Sequence, residues 1–112
     1  MDILFKTKKL EKQCNNQTLL VRTYGSQRAK LIRRRLDELR AADFLDAIRT
    51  LPQARCHELK GNHAGELSVD LEHPFRLLFR PANEPIPKKA DGGLDWEGVS
   101  AVEIIGVEDT HG

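Results

Sequence analysis

At 112 residues the chain has room for one domain with a modest core and is too short for two. A hydrophobic share of 39% beside 31% charged residues excludes a disordered or fibrous chain, and no apolar run approaches the roughly 20 residues that cross a bilayer. Net charge is only +1, but residues 22–60 carry ten Lys or Arg against five acids, whereas residues 81–112 carry two lysines against seven acids. That asymmetry favours a polyanion on one face, although any single charge is more simply a solvated one. The opening M-D-I-L-F-K lacks the basic-then-apolar order of a secretory signal, so a cytoplasmic protein with no membrane association is expected. Cys14 and Cys56 have neither disulfide-framework nor CxxC spacing.

Taken in order, Ile3–Phe5 predicts a short strand and Lys8, Lys9 and Lys12 a basic helical turn. Asn15-Asn16-Gln17 is a polar break, and Leu19-Leu20-Val21 is too short an apolar run to assign. Tyr24-Gly25 breaks the chain again, with Ser26 as the expected N-cap. From Ser26 to Ala42, Ala29, Ile32, Leu36 and Leu39 form one apolar stripe at helical spacing, leaving Arg33, Arg34 and Arg35 to the polar side. Residues 43–48 read as a shorter helical segment, stopped before Pro52.

Beyond Pro52 the period changes to two. A short strand around Cys56–Lys60 leads into a loop over residues 61–65. Leu67, Val69 and Leu71 then alternate with Glu66, Ser68 and Asp70. Phe75, Leu77 and Phe79 share one face of a further strand, with Arg76, Leu78 and Arg80 on the other. Residues 81–98, with three prolines and three glycines, form a long loop that Trp96 is placed to anchor. Val99–Val107 is nearly unbroken in apolar character, as a buried strand requires. The predicted fold is α+β, with N-terminal helices packed on one face of a small, mostly antiparallel sheet.

This sheet half concentrates His57, Lys60, Arg76, Arg80 and His111. Metal-independent RNA cleavage asks for a base on the 2′-hydroxyl, cations on the phosphate and an acid for the leaving oxygen. Histidine suits proton transfer near neutral pH, Arg presents a charged fork to phosphate, and Lys supplies a point charge. No cofactor is required, and the four histidines lack the spacing of a helical metal pair. Each residue also has a plainer role: a strand histidine is commonly structural, and Arg76 or Arg80 can pair with Glu58, Glu66 or Glu103 across the sheet. Arg33-Arg34-Arg35 reads first as a solvated helix face and second as a grip on phosphates, and three successive residues cannot all face one groove.

The series H-E-L-K-G (57–61), G-E-L-S-V-D (65–70), F-R-L-L-F-R (75–80) and V-E-I-I-G-V-E-D-T-H (102–111), behind a basic helix and Leu51-Pro52, resembles the HigB branch of the RelE/ParE toxin superfamily. The resemblance covers most of the chain from Ser26, apart from the 81–98 loop. It implies a RelE-like toxin of a type II toxin–antitoxin module that cuts mRNA in the ribosomal 30S A site, leaving a 2′,3′-cyclic phosphate, and that is neutralised by a HigA-like helix-turn-helix antitoxin. Under it His57 and His111 serve in proton transfer and Lys60 and Arg76 stabilise the phosphate. Arg33, Arg34, Arg80 and Asp109 become the nucleic-acid contacts. Thr110 stands where the family has the tyrosine of D-Y-H, and Leu67 where its strand commonly has tryptophan. Two alternatives use the same fold: a ParE-like gyrase inhibitor without catalytic residues, and a degenerate member that acts through antitoxin binding.

Overall fold

The apolar run near the chain's end builds the interior of a sheet. In the computed structural model, which describes residues 1–109, β5 (Ala101–Asp109) lies between β1 (Asp2–Phe5) and β4 (Phe75–Pro81). β3 (Leu67–Asp70) and the two-residue β2 (His57–Glu58) complete the order β1-β5-β4-β3-β2. β1 pairs with β5 in parallel, and the other three pairings are antiparallel. The α+β class is therefore as the element order predicts, with a mixed, mostly antiparallel sheet.

Period-two alternation puts Leu67, Val69, Leu77, Phe79, Val102 and Ile104 on one face, all fully buried. Three helices contribute to the same core. Thr7 caps α1 (Lys8–Cys14), accepting from the Leu10 amide. The Asn15-Asn16 break proves to be a start signal: Asn16 Oδ1 accepts from the Leu19 amide and opens α2 (Gln17–Tyr24), so Leu19-Leu20-Val21 is helical. α3 (Ser26–Ala41) buries Ala29, Ile32, Leu36 and Leu39 as its stripe predicts. Its N-cap is Gly25, at φ 84°, and not Ser26, which is already helical and makes no capping bond.

Arg35 departs from the expected solvent-facing role. It is 4% exposed, donating from Nε to the Asp70 carbonyl (2.7 Å), from Nη2 to the Gln53 carbonyl (3.1 Å) and from Nη1 to Glu38 Oε1 (2.9 Å). The expected second helix is a 3₁₀ helix, Leu45–Thr50, that buries Leu45 and Ile48. The long loop is folded back on itself: Lys88 bridges Leu94, and a 3₁₀ turn, Trp96–Gly98, buries Trp96. The indole Nε1 donates to Glu58 Oε2 at 3.0 Å, and the Arg49 guanidinium lies 4.0 Å over the ring. Trp96 thus anchors the loop as its sequence suggests.

The other face of the sheet carries the polar alternates. His57, Ser68, Leu78 and Gly106 form one cross-strand row, and Asp70, Arg76 and Glu108 form the next. Ser68 and Leu78 are nonetheless fully buried. The 59–66 connection reaches over them: His63 Nδ1 lies 2.9 Å from Glu66 Oε1, and its Nε2 lies 3.7 Å from Glu108 Oε2 on β5.

Candidate active site

His57 sits on the short β2, which pairs with β3 and so meets β4 from across one intervening strand. Just before it, Arg55 adopts φ 45°, in the left-handed region that non-glycine residues seldom occupy. In this turn the Arg55 carbonyl accepts a hydrogen bond from His57 Nδ1 at 3.0 Å. On the other side of the ring, Arg76 Nη1 approaches Nε2 at 3.2 Å. Because guanidinium only donates, the two bonds assign the neutral Nδ1–H tautomer, with the Nε2 lone pair directed at Arg76. An imidazolium would have no lone pair to accept that bond.

Arg76 is held in turn by Asp70, the residue opposite it on β3, with Nε 3.4 Å from Oδ1. The second carboxylate oxygen lies 3.6 Å from Arg55 Nε. His57, Arg76, Asp70 and Arg55 therefore close a ring of contacts. Beside it lies a cavity of about 90 Å³ whose lining includes Arg55, Asp70, His73, Phe75 and Arg76. The Arg28 guanidinium covers the Phe75 ring at 3.5 Å and pairs with Glu72 at 3.0 Å, closing the α3 side. Two guanidiniums sharing one carboxylate, next to a neutral imidazole, form a place where an anionic oxygen can displace part of the pairing and gain charge-assisted bonds.

The structure distributes the remaining candidates unevenly. Lys60 is exposed where the 59–66 connection begins, and among the described residues no contact links its side chain to His57 or Arg76. Arg80 pairs with Glu103 Oε1 at 2.5 Å, the cross-sheet ion pair that its position allows. Arg33 and Arg34 belong to α3, in the helical layer. Arg33 is half-buried and donates to the Cys14 carbonyl (3.1 Å), while Arg34 is exposed beside it on a hollow shared with Lys30 and Asp37. The structure brings neither of them to His57. Asp109 ends β5 opposite Phe75, one position from the Glu108–Arg76 pair. His111 and Thr110 lie outside the described residues.

Cys56 is no partner for His57. Burial first, and Glu58 further, push its thiol up to about 12 against the counter-pull of Arg49, so the thiolate is scarce at neutral pH. Among the described residues no group of three His, Cys, Asp or Glu side chains converges to hold a metal ion.

Three participants were not singled out from the sequence. Asp70 was legible in principle, since the turn at residues 72–74 sets the register that puts it opposite Arg76. Arg55 was not, because its role depends on a left-handed backbone that no residue preference announces. His63 reads as an exposed turn residue until the 59–66 connection is seen to reach β5. Compared with protein-family models and with curated proteins, the chain finds no match.

Proposed function

We propose that this protein is the toxin of a type II toxin–antitoxin module, a HigB-like, ribosome-dependent endoribonuclease that cuts mRNA without a metal. The observation that carries this reading is the 3.2 Å approach of Arg76 Nη1 to His57 Nε2 on the sheet face away from the core. A proton acceptor and a cation suited to phosphate share one spot there, and the motif order around them resembles that of the toxin family.

In the free protein the Nε2 lone pair is occupied by Arg76. A phosphodiester entering beside Asp70 draws the guanidinium onto its non-bridging oxygens and frees Nε2 as the base. The 2′-hydroxyl oxygen then attacks the adjacent phosphorus, its proton passing to Nε2. Arg76 and Lys60 meet the charge growing on the phosphoryl oxygens. The P–O5′ bond breaks, the 5′ oxygen takes a proton from an acid, and a 2′,3′-cyclic phosphate and a 5′-hydroxyl remain. His111 is the candidate acid. A HigA-like helix-turn-helix antitoxin is the partner expected to silence this face in the cytoplasm.

Induced expression should arrest growth and produce discrete mRNA cuts, mapped by primer extension. His57→Ala and Arg76→Ala should each lower cleavage by about 10²- to 10⁴-fold. Arrest that survives both substitutions sinks the nuclease reading. Arrest with intact mRNA and accumulating DNA breaks selects the ParE-like gyrase inhibitor instead. Antitoxin binding with neither effect selects a degenerate toxin.

A further inference from the structure

Nearly every arginine on this molecule is already matched to a carboxylate: Arg28 with Glu72, Arg33 and Arg40 with Asp37, Arg35 with Glu38, Arg49 with Asp46, Arg55 and Arg76 with Asp70, Arg80 with Glu103. Among the described residues Arg22 and Arg34 are in no such pair, and the densest run of unpaired cations lies near residue 6. Lys6, Lys8, Lys9 and Lys12 fall within seven residues that hold one acid, Glu11, and all four are exposed. Among the described residues none of these amines is in an ion pair. A patch of four unpaired cations within seven residues is suited to an anion from outside.

That patch borders a groove of about 420 Å³ between α1 and β5, within the size range of ligand sites. Lys6, Lys9 and Gln13 form one wall, with the chain's single tyrosine, Tyr24, half-buried among them. Gly106 and Glu108 belong to the opposite wall, and they are the β5 residues paired with Leu78 and Arg76. The groove therefore opens beside the row that carries the Arg76–His57 contact. An aromatic face, a polar amide and two amines along one channel match a single-stranded nucleic acid, in which phosphates and an unstacked base are both presented. A duplex hides its bases and has no use for the ring.

We infer that the α1–β5 groove binds single-stranded RNA continuous with the strand at His57 and Arg76, Lys6 and Lys9 meeting its phosphates and Tyr24 stacking on a base. The inference rests on the nuclease reading above and extends it to a second contact site. It also brings a tyrosine distant in sequence to the flank of β5, the strand that leads to Thr110.

The test is fluorescence anisotropy of the full-length protein with a labelled, fully 2′-O-methylated octaribonucleotide, which lacks the attacking hydroxyl and cannot be cut. The paired substitution Lys6→Ala/Lys9→Ala is expected to weaken binding about tenfold and to reduce the log–log salt slope by about 1.4, or 0.7 per lost phosphate contact. Tyr24→Leu should weaken binding about tenfold with the salt slope unchanged, and Tyr24→Phe should bind like wild type. Both lysines are exposed, so the paired variant reports even where Tyr24→Leu melts early. No binding by the wild-type protein, or wild-type affinity in the lysine variant, overturns the inference. Equal affinity for a duplex overturns the single-strand assignment. Primer extension on the same variants separates the two readings. Cleavage that continues without groove binding leaves the nuclease standing alone, and groove binding without cleavage by the wild type leaves only an RNA-binding groove.

Discussion

Asp70 reaches both arginines of the open face, so its carboxylate sets where Arg76 points. Asp70→Asn should leave the fold intact while letting Arg76 drift from its place. A misplacement of about 1 Å is enough to lower cleavage up to about 100-fold, measured on translating ribosomes. Cleavage unchanged in that variant would mean that Asp70 does not position Arg76 for the reaction. Arg35 tests a different role. Its guanidinium satisfies the carbonyls of Asp70 and Gln53 from inside the protein, so Arg35→Leu should cost about 2–4 kcal/mol in urea unfolding. Arg35→Lys should recover little, because one ammonium lacks the rigid fork that spans two carbonyls. Helical geometry hints at this burial: Arg35 lies about 60° around α3 from Ile32, at the edge of the apolar stripe. What the sequence hides is that strand-end carbonyls wait there.

At the scale of elements, hydrophobic period is the better guide, and punctuation misleads at Asn16 and Ser26. The alternation of residues 66–71 and 75–80 gave β3 and β4, and the stripe of Ala29, Ile32, Leu36 and Leu39 gave α3. Short elements were harder. α2 was obscured because its eight residues bury only Leu20 fully, too little apolar repetition to register as a period. The sequence places His57 and Arg76 in the same sheet half, and the hydrogen bond between them depends on the Arg55 turn. The 59–66 connection makes Leu78 a core residue on the wrong side of the sheet, so Leu78→Ala should cost about 2–5 kcal/mol in denaturant unfolding. A loss below about 1 kcal/mol would mean that face is open to water. Asn83 holds the corner between β4 and β5, its Oδ1 accepting from the Ser100 and Ala101 amides at 3.0 and 3.1 Å. Asn83→Ala should destabilise by about 1–3 kcal/mol through those two orphaned donors.

For the molecule as a whole, the two thiols link stability to pH. Burial raises Cys14 to about 11 and Cys56 to about 12, from an ordinary 9.0. The folded state therefore favours the protonated thiols more than the unfolded chain does. That stabilisation is complete below about pH 9 and is lost as pH rises through about 11 and 12. Melting temperatures taken across this window should fall less steeply in a Cys14→Ala/Cys56→Ala variant than in wild type. Equal slopes would show that the thiols titrate alike in both states.

The pairing of β1 with β5 sets a timetable for synthesis. The strand made last among those described is an interior one, hydrogen-bonded to residues 2–5 on one side and to 75–81 on the other. A nascent chain halted before Ala101 has an orphaned first strand and a raw edge along β4. Contacts between such distant residues close slowly and late. The face carrying His57 and Arg76 is thus finished only after β5 has left the ribosome.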